Sequence, residues 1–300
     1  MAYHAGVLQA LDDVGIDASK AELIVGTSAG SAIGAELRIG RSLSDIRERA
    51  LSEPGGSEPA PTDLFDRSWD NPIELGQRLV GSAYVVGRSL VRIPGPRVPL
   101  SLRRVFPAGM MAANLDPEVV EDVLPEAWPE DPLWLCAVNI RTGRRVVLGR
   151  PGGLEANLRE AVVASCAIPA LYQPVRVDGA TLVDGGMHSS TNLDLAVEGG
   201  SRLIICVAPM AYDRRDVPGL GTRLFRRPAD QAIEREVLIA RAHGAAVLLF
   251  RPSAAELALH GSNLMRTTGN AVVADAARRS ARRRLSSERF KRLIRQFELV

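Results

Sequence analysis

Two short stretches hold the residue types that acyl chemistry requires. The first is Gly26-Thr27-Ser28-Ala29-Gly30, a Gly-x-Ser-x-Gly pattern. It follows the apolar run Leu23-Ile24-Val25 and precedes Ser31-Ala32-Ile33-Gly34. A short apolar run reads as a buried strand, and the small residues after it read as a buried helix. A serine at the tip of such a strand-to-helix turn sits in strained backbone geometry that the surrounding structure must hold. Gly26 and Gly30, two before and two after it, suit a turn too tight for a Cβ. The Ser28 hydroxyl would project from the turn, and the N–H groups of Ala29 and Gly30 would face an oxygen that becomes negative during acyl transfer. The competing reading is a Gly-rich packing turn or a phosphate-binding loop, but no Lys stands beside the glycines.

A serine hydroxyl needs a base to take its proton. The second stretch, Asp184-Gly185-Gly186, supplies one at the end of a predicted strand. The two glycines allow another backbone segment to lie close to the carboxylate. A partly buried Asp could accept the Ser28 proton and later return it to the leaving alcohol. The bland alternative is a turn Asp closing a hairpin. The four histidines are weaker bases by position. His4 lies in a predicted helix, His188 is only four residues after Asp184, and His243 and His260 each precede a glycine at a helix end. All four are expected at the surface or as caps. A Ser-His-Asp esterase using His243 or His260 remains a rival.

The elements around these stretches follow from pattern. A helix is predicted over 2–14 with Gly15 as its stop, and another from the elbow to about Ile39 with Gly40 as its stop. Strands are expected at 133–140 and 145–148, joined by Arg141-Thr142-Gly143-Arg144. A helix at 154–167 ends before Pro169, and Asp178-Gly179 turns a hairpin over 175–183. A short helix at 191–198 precedes a strand at 202–208. A polar loop with basic pairs then leads to a helix at 229–243, a strand at 245–251, and helices at 253–260, 269–285 and 286–297. Only one strand fits ahead of Ser28, which disfavours a standard α/β-hydrolase, whose nucleophile follows several strands.

Twelve of the 19 prolines fall between Pro54 and Pro132, which disfavours core strands there. The reading is one domain over 1–300, with its core in 2–50 and 131–210. A cap-like insertion spans about 51–130, and a helical extension spans about 211–300. Within the insertion, 73–92 reads as an amphipathic helix. Glu74, Arg78, Arg88 and Arg92 share one face, with Leu75, Leu79, Val80, Ala83, Val86, Leu90 and Val91 on the other. It either covers the core or lies on a lipid surface. Residues 278–295 carry nine Lys/Arg against one Glu, a solvated face or an attraction to anionic lipid.

With 46% hydrophobic and 24% charged residues and a net charge of +2, the chain has the composition of a soluble globular protein. Cys136, Cys166 and Cys206 lie in apolar runs without metal-like spacing, so they are expected as buried thiols in a reducing compartment. No nucleic-acid motif, transmembrane run or signal peptide is seen, and a cytoplasmic location is expected, with peripheral membrane contact through 73–92 or 278–295.

Together the two motifs resemble the patatin-like phospholipase family, acyl hydrolases with a Ser–Asp dyad. Gly26-Thr27-Ser28-Ala29-Gly30 resembles its nucleophile motif and Asp184-Gly185-Gly186 its Asp-Gly-Gly/Ala motif. Residues 5–11 resemble the helix before the nucleophile strand, and Ala164-Ser165-Cys166-Ala167-Ile168-Pro169 the helix end before the Asp hairpin. The resemblance covers about 2–40 and 131–208. It implies a three-layer α/β/α fold with a mostly parallel central sheet. It implies Ser28 as nucleophile, Asp184 as base, a lipid or phospholipid ester as substrate, and no metal or organic cofactor. The family also has a Gly-Gly-Gly-x-Arg/Lys-Gly loop after a first strand, and Met1 stands where that loop's last Gly would be. The expectation is a start site set downstream, with a nearly inactive 300-residue chain. The alternative is an impaired relative that binds lipid or a partner protein.

Overall fold

The computed structural model describes residues 1–52, 72–90, 124–260 and 269–297. Most of the Pro-rich insertion expected over 51–130 therefore lies outside the described residues, as do Val91 and Arg92. The chain divides into two compact units. One comprises Val25–Ala35 and Gly56–His188, and holds both candidate motifs. The other comprises Met1–Ile24, Glu36–Gly55 and Ser189–Val300.

The motif-bearing unit is built on a five-stranded mixed sheet ordered β1 (Ile24–Thr27), β2 (Leu133–Asn139), β5 (Ala180–Asp184) and β4 (Val175–Val177). The remaining strand, β3 (Arg144–Leu148), pairs with β2. The α/β class is as the sequence implies, but the sheet is not mostly parallel. Pairs β2–β3, β2–β5 and β4–β5 are all antiparallel. Two of these pairs have a local cause, since hairpins fold β2 onto β3 and β4 onto β5. At the tighter one Asp178 and Gly179 both have positive φ, +45° and +70°, the two-residue turn that matches strand twist.

After β1 the chain enters α2 (Ala29–Arg38). Helix α4 (Pro72–Leu90) covers the sheet through Val85, which packs with Val138, Ile140, Val183 and Met187. Of the residues read as the apolar face, Leu79, Val80 and Ala83 are exposed, while Gly81, Ser82 and Val85 turn inward, so that face does not pack on the core as the covering reading expects. Helix α5 (Leu158–Cys166) starts four residues later than predicted. Asn157 is the reason. Its side chain accepts from the Glu160 N–H while the Glu160 carboxylate accepts from the Asn157 N–H, a reciprocal cap that sets the first turn.

In the second unit α1 (Ala2–Asp12) lies along α9 (Asn270–Leu285). The approach is close enough that a Cβ on Gly6 would meet the Ala274 carbonyl oxygen at 2.1 Å. Burial on nearly all sides encloses His4 Nδ1 without a partner and pushes its pKa down to about 3, so His4 is not the surface residue expected. Helix α3 (Leu43–Leu51), unforeseen in the sequence, is capped by Ser42, whose hydroxyl accepts from Asp45 N–H at 3.1 Å. Helix α6 (Asp194–Glu198) precedes the parallel pair β6 (Leu203–Val207) and β7 (Ala246–Phe250). Helix α7 (Leu220–Ala242) connects these strands and begins nine residues before the predicted 229. It takes in part of the stretch read as a polar loop with basic pairs, and it runs through Pro228. Proline removes only its own N–H and its clash is local, so a long helix anchored elsewhere accommodates it. Helices α8 (Ala254–His260) and α10 (Glu288–Phe297) complete the unit.

Candidate active site

Ser28 stands between β1 and α2 with φ +52°, a conformation that L-residues other than Asn, Asp and Gly rarely adopt. Its surroundings hold it there from three directions. Its carbonyl accepts from the Ser31 N–H at 2.7 Å and from the Ser31 hydroxyl at 2.6 Å. Its own N–H donates to Ser165 Oγ at 3.1 Å, and the Ser165 hydroxyl donates onward to the Cys136 carbonyl at 2.7 Å. A Cβ on Gly26 would meet Ser31 Cα at 2.7 Å and the Gly30 oxygen at 2.8 Å. Both are backbone atoms that cannot give, so the close turn inferred from the sequence demands glycine there. Gly26→Ala is expected to open the elbow and cost about 2–4 kcal/mol of stability, on the scale of other overpacking and special-backbone changes, read by denaturant unfolding.

Asp184 closes β5 opposite Ala137 of β2 and is 5% exposed. Its N–H donates to the Ala167 carbonyl at 2.9 Å. One carboxylate oxygen accepts the Gly186 N–H at 2.7 Å. The Ser28 hydroxyl lies close enough to the carboxylate to lower its pKa. Burial nevertheless raises that pKa from 3.8 to about 6, against the lowering pull of the Ser28 hydroxyl and the Gly186 N–H. A carboxylate with a pKa near 6 is a better proton acceptor than one near 4, while still ionised at neutral pH. Gly185 is also sterically required, because a Cβ there would lie 2.4 Å from the Cys136 carbonyl oxygen.

The end of α5 ties the two motifs together: Ser165 holds the Ser28 backbone, and Ala167 holds the Asp184 backbone. The role of Ser165 was not drawn from the sequence, although it sits within the Ala164–Pro169 stretch that carries the family resemblance. Nor was that of Ser31, three residues past Ser28. A serine inside a small-residue helix looks like any other. Only its fold neighbours reveal that it bridges two backbones 137 and 29 residues away in sequence. Ser165→Ala would take the partner of the Ser28 N–H and one hydrogen bond from the Cys136 carbonyl, and is expected to destabilise the fold by about 1–3 kcal/mol, measured by thermal or denaturant unfolding.

Cys166 Sγ lies 3.6 Å from Ser31 Oγ, and burial together with the Asp184 charge pushes its thiol pKa up to about 12. It is therefore an inert thiol beside the site. All three cysteines are free. His243 caps α7, its Nδ1 2.9 Å from the Ile239 carbonyl. His188 ends the short turn 185–187, its N–H donating to Gly185. The His260 side chain lies outside the described residues. Among the described residues, no group of three or more His, Cys, Asp or Glu could hold a metal ion. None of the described helices is long and apolar enough to cross a membrane.

The α/β unit thus sets a serine on a strained strand-to-helix turn near a buried aspartate. The chain belongs to the patatin-like phospholipase family, whose sequence model matches residues 1–197. It is similar to patatin-like phospholipase domain-containing protein 6 of Mus musculus, Pongo abelii and Homo sapiens, 26% identical over 224 residues in each case. The match takes in 74% of this chain and 13% of each relative, so the chain spans about an eighth of the length of the curated relatives it matches.

Proposed function

We propose that the chain hydrolyses carboxylic esters of lipids with Ser28 as nucleophile and Asp184 as base. Family membership supports the substrate class. The observation that carries the residue roles is the nearness of the half-buried Ser28, on its strained turn, to the buried Asp184 carboxylate, whose pKa it lowers. Ser28 Oγ attacks the acyl carbonyl as its proton passes to Asp184. The carbonyl oxygen becomes an oxyanion, facing the N–H groups of Ala29 and Gly30 at the start of α2, which have no partner within the helix. The intermediate collapses, the leaving alcohol takes the proton from Asp184, and Ser28 stays acylated. Water, deprotonated by Asp184, then attacks the acyl-enzyme, and the proton returns to Ser28 as the fatty acid leaves. No step calls for a metal or organic cofactor.

Labelling with a fluorophosphonate and weighing the intact 300-residue chain tests this reading. One adduct, lost in Ser28→Ala, is expected. A folded chain that takes no adduct would leave a lipid- or partner-binding module as the better account. Replacement of His243 or His260 by Ala is expected to leave the labelling rate unchanged. Abolished labelling in either variant would instead favour a Ser-His-Asp site.

The Asp184 pKa also sets a pH dependence. The base works only when ionised, so kcat/KM is expected to rise with pH up to a limb near pH 6 and to fall about tenfold per pH unit below it. A profile flat down to pH 4 would remove Asp184 from the role.

A further inference from the structure

Helix α7 carries an outer face for which the acyl chemistry has no use. Its first two turns stand in solvent: Leu220 is 70%, Leu224 57% and Phe225 61% exposed. Leu238 and Ile239 are exposed on the same helix. Leu238 lies 18 residues beyond Leu220, about five helical turns, so the two fall on one line along the helix. Arg223, Arg227, Arg235 and Arg241 are exposed as well, and none of them pairs with a carboxylate among the described residues. The acids of this helix are held inward. Asp230 is buried against Arg214 and Arg251, Glu234 is bound by Arg251 at 2.5 Å, and Glu236 accepts from Thr191 and from the Leu193 N–H. Arg226 turns to the opposite side and donates to the Pro209 carbonyl. These inward contacts fix the rotation of the helix, so the apolar residues and unpaired arginines stay outside.

We propose that this face of α7 docks on an anionic phospholipid bilayer. A helix about 34 Å long with Leu, Ile and Phe on one arc and arginines beside it fits the headgroup–acyl boundary in the plane of a membrane. The absence of any unpaired acid on that face provides the charge complementarity. The basic stretch 278–295 is a poorer fit. Arg278 is clasped by Asp13 at 2.6 and 2.9 Å, Arg282 lies 3.8 Å from the same carboxylate, and Arg284 lies over the Phe250 ring. The proposal deepens the lipid-ester reading, on which it rests for the purpose of the contact.

The test is co-sedimentation of the full chain with phosphatidylcholine vesicles, with and without phosphatidylserine. Binding is expected only with phosphatidylserine present, and it should weaken as salt is raised. Leu220→Ser/Leu224→Ser/Phe225→Ser should weaken binding about a hundredfold or more. Arg223→Gln/Arg227→Gln should weaken it about fivefold per arginine, with thermal unfolding unchanged in both variants. Phe225→Trp should show a blue-shifted emission with the anionic vesicles alone. No binding by the parent chain overturns the proposal. So does binding that follows Arg282→Gln/Arg283→Gln instead, or a dimer that the triple-serine variant converts to monomer. Hydrolysis of a short-chain, water-soluble ester separates the two readings. Retained hydrolysis without vesicle binding would sink the surface and leave the hydrolase, whereas binding without hydrolysis would do the reverse.

Discussion

Ser28→Ala is expected to bring whatever ester hydrolysis the chain shows down to the uncatalysed background, because the acyl-enzyme can no longer form. The fold should survive. Alanine keeps the backbone bonds from Ser31 and to Ser165, which do not involve the lost hydroxyl. Its positive φ is no worse for alanine than for serine, so unfolding free energy should change by under about 1 kcal/mol. The measurement is turnover of a soluble ester beside denaturant unfolding of the same sample. Turnover within tenfold of the parent would exclude Ser28 as the nucleophile.

Asp184→Asn is expected to lower the rate by about 10³–10⁴-fold while making the folded chain more stable above pH 6. Asparagine can still accept the Gly186 N–H, and its amide can donate to Ser28 Oγ, so the site stays satisfied but has no base. The stability sign follows from the raised pKa. Because the folded carboxyl binds its proton more tightly than an unfolded one, the parent loses stability as pH climbs from about 4 to about 6. That loss is complete above pH 6. The rise from 3.8 to about 6 corresponds to roughly 3 kcal/mol for ionising a buried group. Melting curves of parent and variant should therefore separate at pH 8 and converge near pH 4. A variant less stable than the parent at pH 8 would mean that Asp184 serves the structure and is not held ready as a base.

Most strands and turns were legible because their signals are local. Asp178-Gly179 between two β-branched runs can make little but a tight hairpin, and the structure places both residues at positive φ. Helix ends were less legible. The start of α5 depended on the Asn157–Glu160 cap, and α3 on Ser42, each hidden among polar residues that also suit loops. Helix α7 was misjudged at its start because Arg226-Arg227 read as part of a polar loop, whereas Asp230 and Glu236 further along anchor a longer helix. The inward side of α4 was not legible either, since periodicity groups the bulky apolar residues on one face while Val85, beside Gly81 and Ser82, is the residue that packs on the sheet.

The sequence by itself determined the α/β class, both motifs, and the need for glycine at 26 and 185. Each follows from chemistry within a few residues of chain. Only the tertiary structure decided that Ser28 and Asp184, 156 positions apart in numbering, come close enough for the hydroxyl to lower the carboxyl pKa. It also decided that Ser165 and Ala167 hold their backbones together. Burial raises the carboxyl pKa to about 6 for the same reason, since desolvation is a property of what surrounds a group and not of the residues beside it in the chain.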